Sequence, residues 1–301
     1  MIEVKLQGGL GNQMFQYALG RSLAEKNKDD LTLDLTFVNN RSFRKDFSYR
    51  NFNLSVFNIN EKTTFLSKLS SKIVMPGVFP KVSNLINKAK DVLGTQEYVF
   101  ENDIGHFDEN ILSLKGNIYL DGYWQNEEYF EDVKKIIRKE FTFKSEHDSV
   151  NLKTLEDIRN SNSVSLHIRR GDYINIQKIS RIYQFLGLDY YRKAIDVIKN
   201  RVKDPSFFIF SDDISWAKEN LKIDSPIYFI DHNGPGKSHE DLRLMSICKH
   251  NIIANSTFGW WGAWLNNNPN KTVVAPKNWF SEEEMKRRGG FDIVPCDWIK
   301  I

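Results

Sequence analysis

Residues Ser163–Tyr173 read SVSLHIRRGDY, and this stretch decides the fold class of the chain. From Val164 to Ile168 apolar and polar residues alternate, which is the pattern of a β-strand with one face in a core. Arg169 and Arg170 follow directly, before a Gly-Asp turn. In open α/β sheets ligands bind just beyond the carboxyl ends of strands, and paired guanidinium groups suit a phosphate or pyrophosphate. The stretch therefore predicts an anion site; a solvated surface loop is the alternative.

Strand and helix patterns continue to alternate after this stretch and predict a doubly wound parallel sheet. Its predicted strands end in polar residues at four places, namely Arg169 with Arg170, Ser211 with Asp212 and Asp213, Asp231 with His232, and Asn255 with Ser256 and Thr257. Four such ends in one domain indicate a nucleotide cleft, in which an aspartate suits guanine or ribose. The hydroxyl groups of Ser256 and Thr257 suit a phosphate at a helix start, and an ordinary N-cap at Ser256 is compatible with that role.

A second ligand-facing turn is predicted at the start of the chain. A short strand from Ile2 leads into GGLGNQ at Gly8–Gln13, and a helical pattern begins at Met14. Gly9 and Gly11 fill the first two positions of the G-x-G-x-x-G dinucleotide fingerprint, but Met14 occupies the third. The turn therefore indicates a ligand and only weakly an NAD-dependent oxidoreductase. A tight loop without a ligand is the alternative.

Between these two regions the sequence predicts a helical insertion and an aromatic strand end. Residues 61–95 are rich in lysine and have helical spacing, interrupted by prolines. A predicted strand at Asn117–Gly122 precedes Tyr123 and Trp124, and such an aromatic pair either stacks on the apolar face of a sugar or packs in a core. A polar segment around Phe143–Asp148 separates the first part of the chain from the second and places the domain boundary near residues 144–160.

Composition and missing motifs narrow the class of protein. Of 301 residues 41% are hydrophobic, and the net charge of +3 is too small to imply a nucleic-acid partner. No stretch reaches about 18 apolar residues and no signal-peptide pattern is present, so we expect a cytoplasmic protein without a transmembrane segment. Peripheral association at the inner face of the membrane stays open. Cys248 and Cys296 have no metal spacing and are expected to be free thiols. Because Asp-x-Asp, HExxH and G-x-S-x-G are absent, we expect no metal site and no serine hydrolase.

Four segments resemble the alpha-1,2-fucosyltransferases of glycosyltransferase family eleven, and they occur in the family's order. They are GGLGNQMFQY at Gly8–Tyr17, HIRRGDY at His167–Tyr173, FSDDISW at Phe210–Trp216 and NSTFGWWGAWL at Asn255–Leu265. Together they span nearly the whole chain, although residues 39–116 carry no matching motif.

The resemblance implies an α/β fold of the GT-B class, in which two Rossmann-like doubly wound domains face a cleft. Residues 1–150 would form the acceptor-side domain and residues 151–301 the domain that binds GDP-fucose. The implied reaction is inverting, metal-independent transfer of L-fucose from GDP-beta-L-fucose to the 2-hydroxyl of a galactose. The acceptor would be an oligosaccharide or a lipid-linked glycan, with no cofactor beyond the donor. A non-catalytic sugar-nucleotide or glycan-binding protein of the same fold is the alternative.

The resemblance also implies roles for individual residues. Arg169 would contact the diphosphate, and Asn12 lies where the N-terminal loop meets the cleft. Asp172 is a candidate base for the acceptor hydroxyl. The alternatives are that it orients Arg170 or bonds the backbone, and that the acceptor proton is lost late to a phosphate oxygen. The expected catalytic set is therefore Arg169, Asp172 and Asn12. Expected donor contacts are Gly9, Gly11, Gln13, His167, Arg170, Ser211, Asp212, Asp213, Asn255, Ser256 and Thr257. Expected acceptor contacts are the aromatic residues Tyr123, Trp124 and Trp260.

Overall fold

Two parallel β-sheets organise the described part of the chain. The structure, a computed structural model, describes residues 1–40, 51–60, 62–72, 78–102, 104–291 and 293–301. Within these residues one sheet lies in the unit Met1–Lys144 and the other in the unit Ser145–Ile301.

The first unit contains four strands in its described residues. They are β1 (Ile2–Lys5), β2 (Leu31–Asp34), β3 (Glu97–Phe100) and β4 (Ile118–Asp121). Its α-helices are α1 (Leu10–Asn27), α2 (Phe65–Lys72), α3 (Val78–Val92) and α4 (Lys134–Glu140), with 3-10 helices at Leu54–Val56, Glu109–Ser113 and Glu127–Val133. The strands lie in the order β2-β1-β4-β3, so the progression reverses between β1 and β4.

Helix α1 approaches the first sheet closely because a glycine faces the sheet. A Cβ atom added at Gly20 would lie 2.4 Å from Val4 Cγ2 and 2.8 Å from Leu31 Cδ1. Close helix–strand packing is the role that the dinucleotide fingerprint gives to its third glycine. Here Gly20 fills that role later in the helix, while Met14 is fully buried.

The carboxyl ends of the first sheet hold a buried polar network that the sequence analysis did not predict. Lys5 Nζ lies 3.0 Å from Asp121 Oδ2. Asp34 Oδ2 accepts the hydroxyl of Ser83 at 2.6 Å and that of Tyr119 at 2.8 Å. Buried charges of this kind are tolerated because they are paired and hydrogen-bonded. Since Ser83 belongs to α3, a polar contact attaches this helix to the sheet.

The second unit contains six strands in its described residues. They are β5 (Asn162–Ile168), β6 (Pro205–Ser211), β7 (Ile227–Phe229), β8 (His250–Ile252), β9 (Val273–Ala275) and β10 (Ile299–Lys300). The α-helices are α5 (Ser149–Arg159), α6 (Gly171–Asn175), α7 (Gln177–Ile182), α8 (Leu188–Lys199), α9 (Ile214–Asn220), α10 (Ser238–Ile247), α11 (Thr257–Leu265) and α12 (Glu282–Arg288), with a 3-10 helix at Pro235–Lys237. The order is β10-β9-β8-β5-β6-β7, and the progression reverses between β5 and β8.

Helices cover both faces of the second sheet. On one face Leu166 and Ile209 pack with Tyr191 of α8. On the other face Phe208 packs with Leu155 of α5. Burial on both faces explains why β6 is a continuous apolar run rather than an alternating one.

The predicted α/β class with two Rossmann-like units is confirmed. The two units meet in sequence at Lys144 and Ser145. The predicted insertion contains α2 and α3, and its residues 61 and 73–77 lie outside the described residues. In the described part of the chain, no helix is both long and apolar enough to span a membrane.

We predict that Gly20→Ala destabilises the protein by about 1–3 kcal/mol, because its methyl group would overlap the Val4 side chain. Thermal unfolding followed by circular dichroism measures the effect. Gly236→Ala is the matched control, since a Cβ atom at the exposed Gly236 meets nothing within 4 Å. An unchanged unfolding midpoint for Gly20→Ala would contradict the requirement for close packing.

Candidate functional site

The predicted residues of the second unit gather where its strand order reverses. Strands β5 and β8 lie side by side there, and ligands of doubly wound sheets bind in the crevice at such a point. Arg169 follows β5, and Asn255 lies between β8 and α11. Tyr173 joins the two loops, because its hydroxyl donates to the carbonyl oxygen of Asn255 at 2.6 Å.

Arg169 is fixed by two carboxylates. Its guanidinium contacts Asp172 and lies 3.1 Å from Asp212 Oδ2. The ring of Tyr173 lies 5.9 Å from the guanidinium carbon. Burial by itself lowers the pKa of Arg169, but Asp212, Tyr173 and Asp172 raise it above its ordinary value. The side chain is therefore a charged group with a defined position.

Asp212 holds the arginine loop through its backbone as well. Its Oδ1 accepts the backbone N–H of Arg170 at 2.8 Å, and its Oδ2 accepts that of Gly171 at 3.0 Å. A Cβ atom at Gly171 would lie 2.9 Å from Asp212 Oδ2, so a larger residue would push this carboxylate away. The contacts that the structure gives Asp212 are thus with the arginine loop, whereas the sequence analysis expected contact with the donor.

Arg170 has different partners from those of Arg169. Its guanidinium contacts the Asp213 carboxylate and lies 5.1 Å from the ring of Trp216 and 5.7 Å from that of Phe185. Asp213 also caps α9 by accepting the N–H of Trp216 at 3.2 Å, and Ser211 Oγ accepts the N–H of Asp213 at 3.0 Å. Contacts within the protein therefore hold Arg170, Asp213 and Ser211.

His167 lies buried beneath the start of α11. A Cβ atom at Gly259 would approach its Nδ1 to 2.6 Å, and the ring of Phe258 lies 5.6 Å away between centroids. Nδ1 has no hydrogen-bond partner among the described residues. Burial and then the charge of Arg169 lower the pKa of His167 to about 3. The imidazole is therefore neutral at physiological pH and has an unsatisfied ring nitrogen.

The loop after β8 is organised by Asn255. Its amide Nδ2 donates to the carbonyl oxygens of Gln184 at 3.0 Å and Trp279 at 2.9 Å. Its Oδ1 is buried without a partner in the described part of the chain. Ser256 precedes α11, but its side chain makes no capping hydrogen bond. Ser256 thus occupies the N-cap position of α11 without the side-chain hydrogen bond of an ordinary N-cap, and Thr257 is the first residue of the helix.

Three other residues singled out from the sequence, Asp231, His232 and Trp260, lie in different surroundings. Asp231 pairs with Lys218 at 2.6 Å on the surface, and His232 Nε2 lies 3.0 Å from Asn151 Oδ1. Trp260 is fully buried, and its indole N–H donates to the carbonyl oxygen of Ile293 at 2.8 Å. Trp260 thus packs in the core of its unit, and its side chain offers no surface to an acceptor.

In the first unit, the loop after β1 is held by Gln13. Its Nε2 donates to the carbonyl oxygens of Gly8 at 2.9 Å and Asn51 at 2.7 Å, and its Oε1 accepts the N–H of Asn53 at 2.9 Å. Gln13 is therefore a structural residue of the loop. The left-handed backbone of Gly8, with φ +78°, is the position in this loop that needs glycine; Gly9 precedes α1 and Gly11 lies within it.

Asn12 contacts the loop after β4, on the other side of the strand reversal. Its Oδ1 accepts Nε2 of Gln125 at 3.0 Å. Glu101 accepts the backbone N–H groups of Tyr123 at 2.6 Å and Trp124 at 3.1 Å, which holds Trp124 at a left-handed φ of +56°. The Trp124 indole nitrogen and Gln125 Oε1 are buried without partners in the described residues.

Sequence reasoning missed Gln125, Glu101 and Tyr173 as parts of these sites. Gln125 follows the predicted Trp124, and Tyr173 follows the predicted Asp172. Their positions next to predicted site residues could have indicated them. Glu101 has no local signal, because only the pairing of β3 with β4 brings it beside Trp124. In the described part of the chain, no three His, Cys, Asp or Glu side chains are grouped as metal ligands.

Comparison with known proteins gives matches along the whole chain. Residues 1–301 match the family described as Glycosyl transferase family 11. Alpha-1,2-colitosyltransferase of Escherichia coli is 36% identical and aligns with 100% of this chain and 99% of its own length. The O-antigen biosynthesis glycosyltransferase WbnK of Escherichia coli is also 36% identical, over 92% of this chain and 94% of its own. Rat galactoside alpha-(1,2)-fucosyltransferase 1 is 28% identical, over 86% of this chain and 61% of its own.

These matches confirm the resemblance carried by the four sequence segments. The family match covers every residue, and both Escherichia coli relatives align over nearly their full lengths. The chain therefore belongs to glycosyltransferase family 11 and is a glycosyltransferase.

Proposed function

We propose that this protein transfers L-fucose from GDP-beta-L-fucose to the 2-hydroxyl of a terminal galactose, with inversion and without a metal ion. The observation that carries the proposal is Arg169, held by Asp172 and Asp212 at the strand reversal of the second unit. The rat relative is a galactoside alpha-(1,2)-fucosyltransferase by name, which supports the linkage.

Arg169 has the chemistry that the reaction requires. When the bond between the anomeric carbon and the phosphate oxygen breaks, GDP leaves with the electron pair and negative charge grows on the β-phosphate. A fixed guanidinium stabilises that charge most in the transition state. Its position costs no reorganisation because Asp212 and Asp172 already hold it.

The contact of Asp172 with Arg169 favours orientation over general-base catalysis. A carboxylate committed to this guanidinium is a poor proton acceptor for the sugar hydroxyl. From the sequence, Asp172 was an alternative candidate to orient Arg170, whereas in the structure its carboxylate contacts Arg169. In the proposed reaction the acceptor oxygen bonds to the anomeric carbon on the face opposite the departing phosphate, and its proton is lost late and reaches an oxygen of that phosphate through solvent.

The unpaired buried polar atoms supply candidate contacts for both substrates. His167 Nδ1 and Asn255 Oδ1 suit donor recognition in the second unit. The Trp124 indole nitrogen and Gln125 Oε1 suit sugar hydroxyl groups in the first. Burying such atoms without partners is unfavourable, so a ligand hydrogen bond there gains affinity. Asn12 would then be positioned by Gln125 toward the acceptor.

A second candidate donor is GDP-colitose. The relative named Alpha-1,2-colitosyltransferase aligns with the whole chain at 36% identity, whereas the rat fucosyltransferase is 28% identical. Colitose is fucose without its 3-hydroxyl, so the two donors share the GDP and the linkage chemistry. Comparing kcat/KM for both donors with a galactose-terminated acceptor, followed by linkage analysis of the product, distinguishes them. GDP binding without turnover of any donor would favour a non-catalytic protein.

We predict that Arg169→Ala lowers kcat/KM for transfer by at least about 100- to 1000-fold, because charge on the departing phosphate is no longer stabilised. Initial rates with GDP-fucose and a galactoside measure this, with EDTA present to test metal independence. Arg192→Ala removes an exposed arginine that pairs with Asp189 and should leave the rate unchanged. Full activity of Arg169→Ala would refute the proposed mechanism.

His167 should make stability pH-dependent. Its pKa in the folded protein is about 3, below the ordinary value near 6.5. As the pH falls below that ordinary value, the unfolded chain binds a proton that the folded protein does not, so stability present at pH 7 is lost on acidification. We expect His167→Gln to reduce the stability difference between pH 7 and pH 5 by about 2 kcal/mol.

Urea unfolding of both proteins at the two pH values measures this difference. The same substitution at the half-buried His106 is the control. An identical pH dependence in the wild-type protein and His167→Gln would show that His167 takes up its proton equally in both states.

We predict that Gln125→Glu lowers kcat by about 10- to 100-fold, because a carboxylate cannot donate to Asn12 Oδ1 and the Asn12 amide loses its orientation. The KM for GDP-fucose should change less than the KM for the acceptor. Gln177→Glu, at an exposed position of α7, is the control. Unchanged acceptor kinetics in a folded Gln125→Glu variant would contradict the positioning role.

A further inference from the structure

Helices α2 and α3 have an inverted polarity. A helix on a sheet normally turns its apolar side chains inward. In α3 the polar residues Ser83 and Asn87 are buried, and Ser83 donates to Asp34. In α2 the buried residues are Ser67 and Ser70. The buried network around Asp34 therefore uses the polar sides of both helices.

Phe79 and Pro80 of α3 are buried, but most of the large apolar side chains of α2, α3 and the residue after α3 are exposed to solvent. The exposed ones are Phe65, Val78, Val82, Leu85, Ile86, Val92 and Leu93, and they are more than half of the exposed large hydrophobic side chains in the described chain. Phe65 is 77%, Leu85 72% and Val92 87% exposed. In α3 they recur at helical spacing and form one stripe. Exposed apolar stripes of this kind mark an interaction surface.

The same surface is basic. Between residues 62 and 95 the lysines are Lys62, Lys68, Lys72, Lys81, Lys88 and Lys90, and the acidic residue is Asp91. Lys68 and Lys72 are exposed on α2, and Lys81 and Lys88 on α3. Lys81 and Lys88 are two turns apart and lie along one edge of the apolar stripe. Asp91 accepts the backbone N–H of Tyr98 at 2.9 Å.

The charge decides which partner fits. In a symmetric contact with a second copy, both faces would carry the same positive charge, and like charges across an interface are repulsive. An anionic membrane attracts the lysines and accepts the apolar side chains among its acyl chains. We propose that the α2–α3 face, defined by the apolar residues and lysines named above, docks this protein on the surface of an anionic lipid bilayer.

Cosedimentation of the full-length protein with vesicles tests this. We expect binding to phosphatidylcholine vesicles that contain roughly one third phosphatidylglycerol, and little binding to pure phosphatidylcholine. The triple variant Val82→Ser, Leu85→Ser, Ile86→Ser should have a vesicle affinity at least about tenfold lower than that of the wild-type protein. The variant Lys68→Glu, Lys81→Glu, Lys88→Glu should bind more than about 100-fold less, and the wild-type protein should be released by salt.

Matched controls lie in the second unit. Val150→Ser with Leu152→Ser removes exposed apolar side chains from α5. Lys153→Glu on α5 with Lys193→Glu on α8 reverses two exposed charges of the same unit. Both controls should bind like the wild-type protein. Equal loss in variants and controls would overturn the proposal, as would absence of vesicle binding. If the protein does not bind vesicles and light scattering finds a dimer that the triple serine variant dissociates, the face is an interface with a second copy.

Discussion

The carboxylate of Asp212 is the group on which the candidate donor site depends. It accepts the backbone N–H groups of Arg170 and Gly171 and pairs with the Arg169 guanidinium. The contacts follow from the register of β5 with β6: the last residues of the two strands, Ile168 and Ser211, are paired, and Arg169 and Asp212 come directly after them. Asp212 holds the backbone of this loop and, together with Asp172, positions the Arg169 cation, as electrostatic catalysis requires.

The first unit uses the same topology with a different chemistry. Its candidate ligand contacts also lie where the strand order reverses, but they are amides and an indole, while the charged Lys5 and Asp121 at this point pair with each other. Asn12, in the first turn of α1, contacts Gln125 of the loop after β4, and Glu101 holds the backbone that presents Trp124. Neutral hydrogen-bonding groups suit sugar hydroxyls, whereas the arginines of the second unit suit a diphosphate.

The polar core of the first unit also shapes its outer surface. Because Asp34 is buried at the end of β2, the helices that cover it turn serines inward to satisfy its oxygens. Most of the large hydrophobic side chains of those helices are then exposed, beside lysines. The internal requirement for hydrogen bonds and the proposed docking surface thus involve opposite sides of the same pair of helices.

The sequence by itself was sufficient to predict the α/β class, the strand that leads into Arg169 and membership of the family. These features depend on local periodicity and on ordered motifs. It could not separate Trp260, packed in the core, from Trp124, whose indole nitrogen is left unpaired, since both are aromatic residues near predicted loops. Nor could it pair Asp172 with Arg169 or bring Glu101 to its partners. Those outcomes depend on strand register and on which buried polar atoms find partners, and only the tertiary structure decides them.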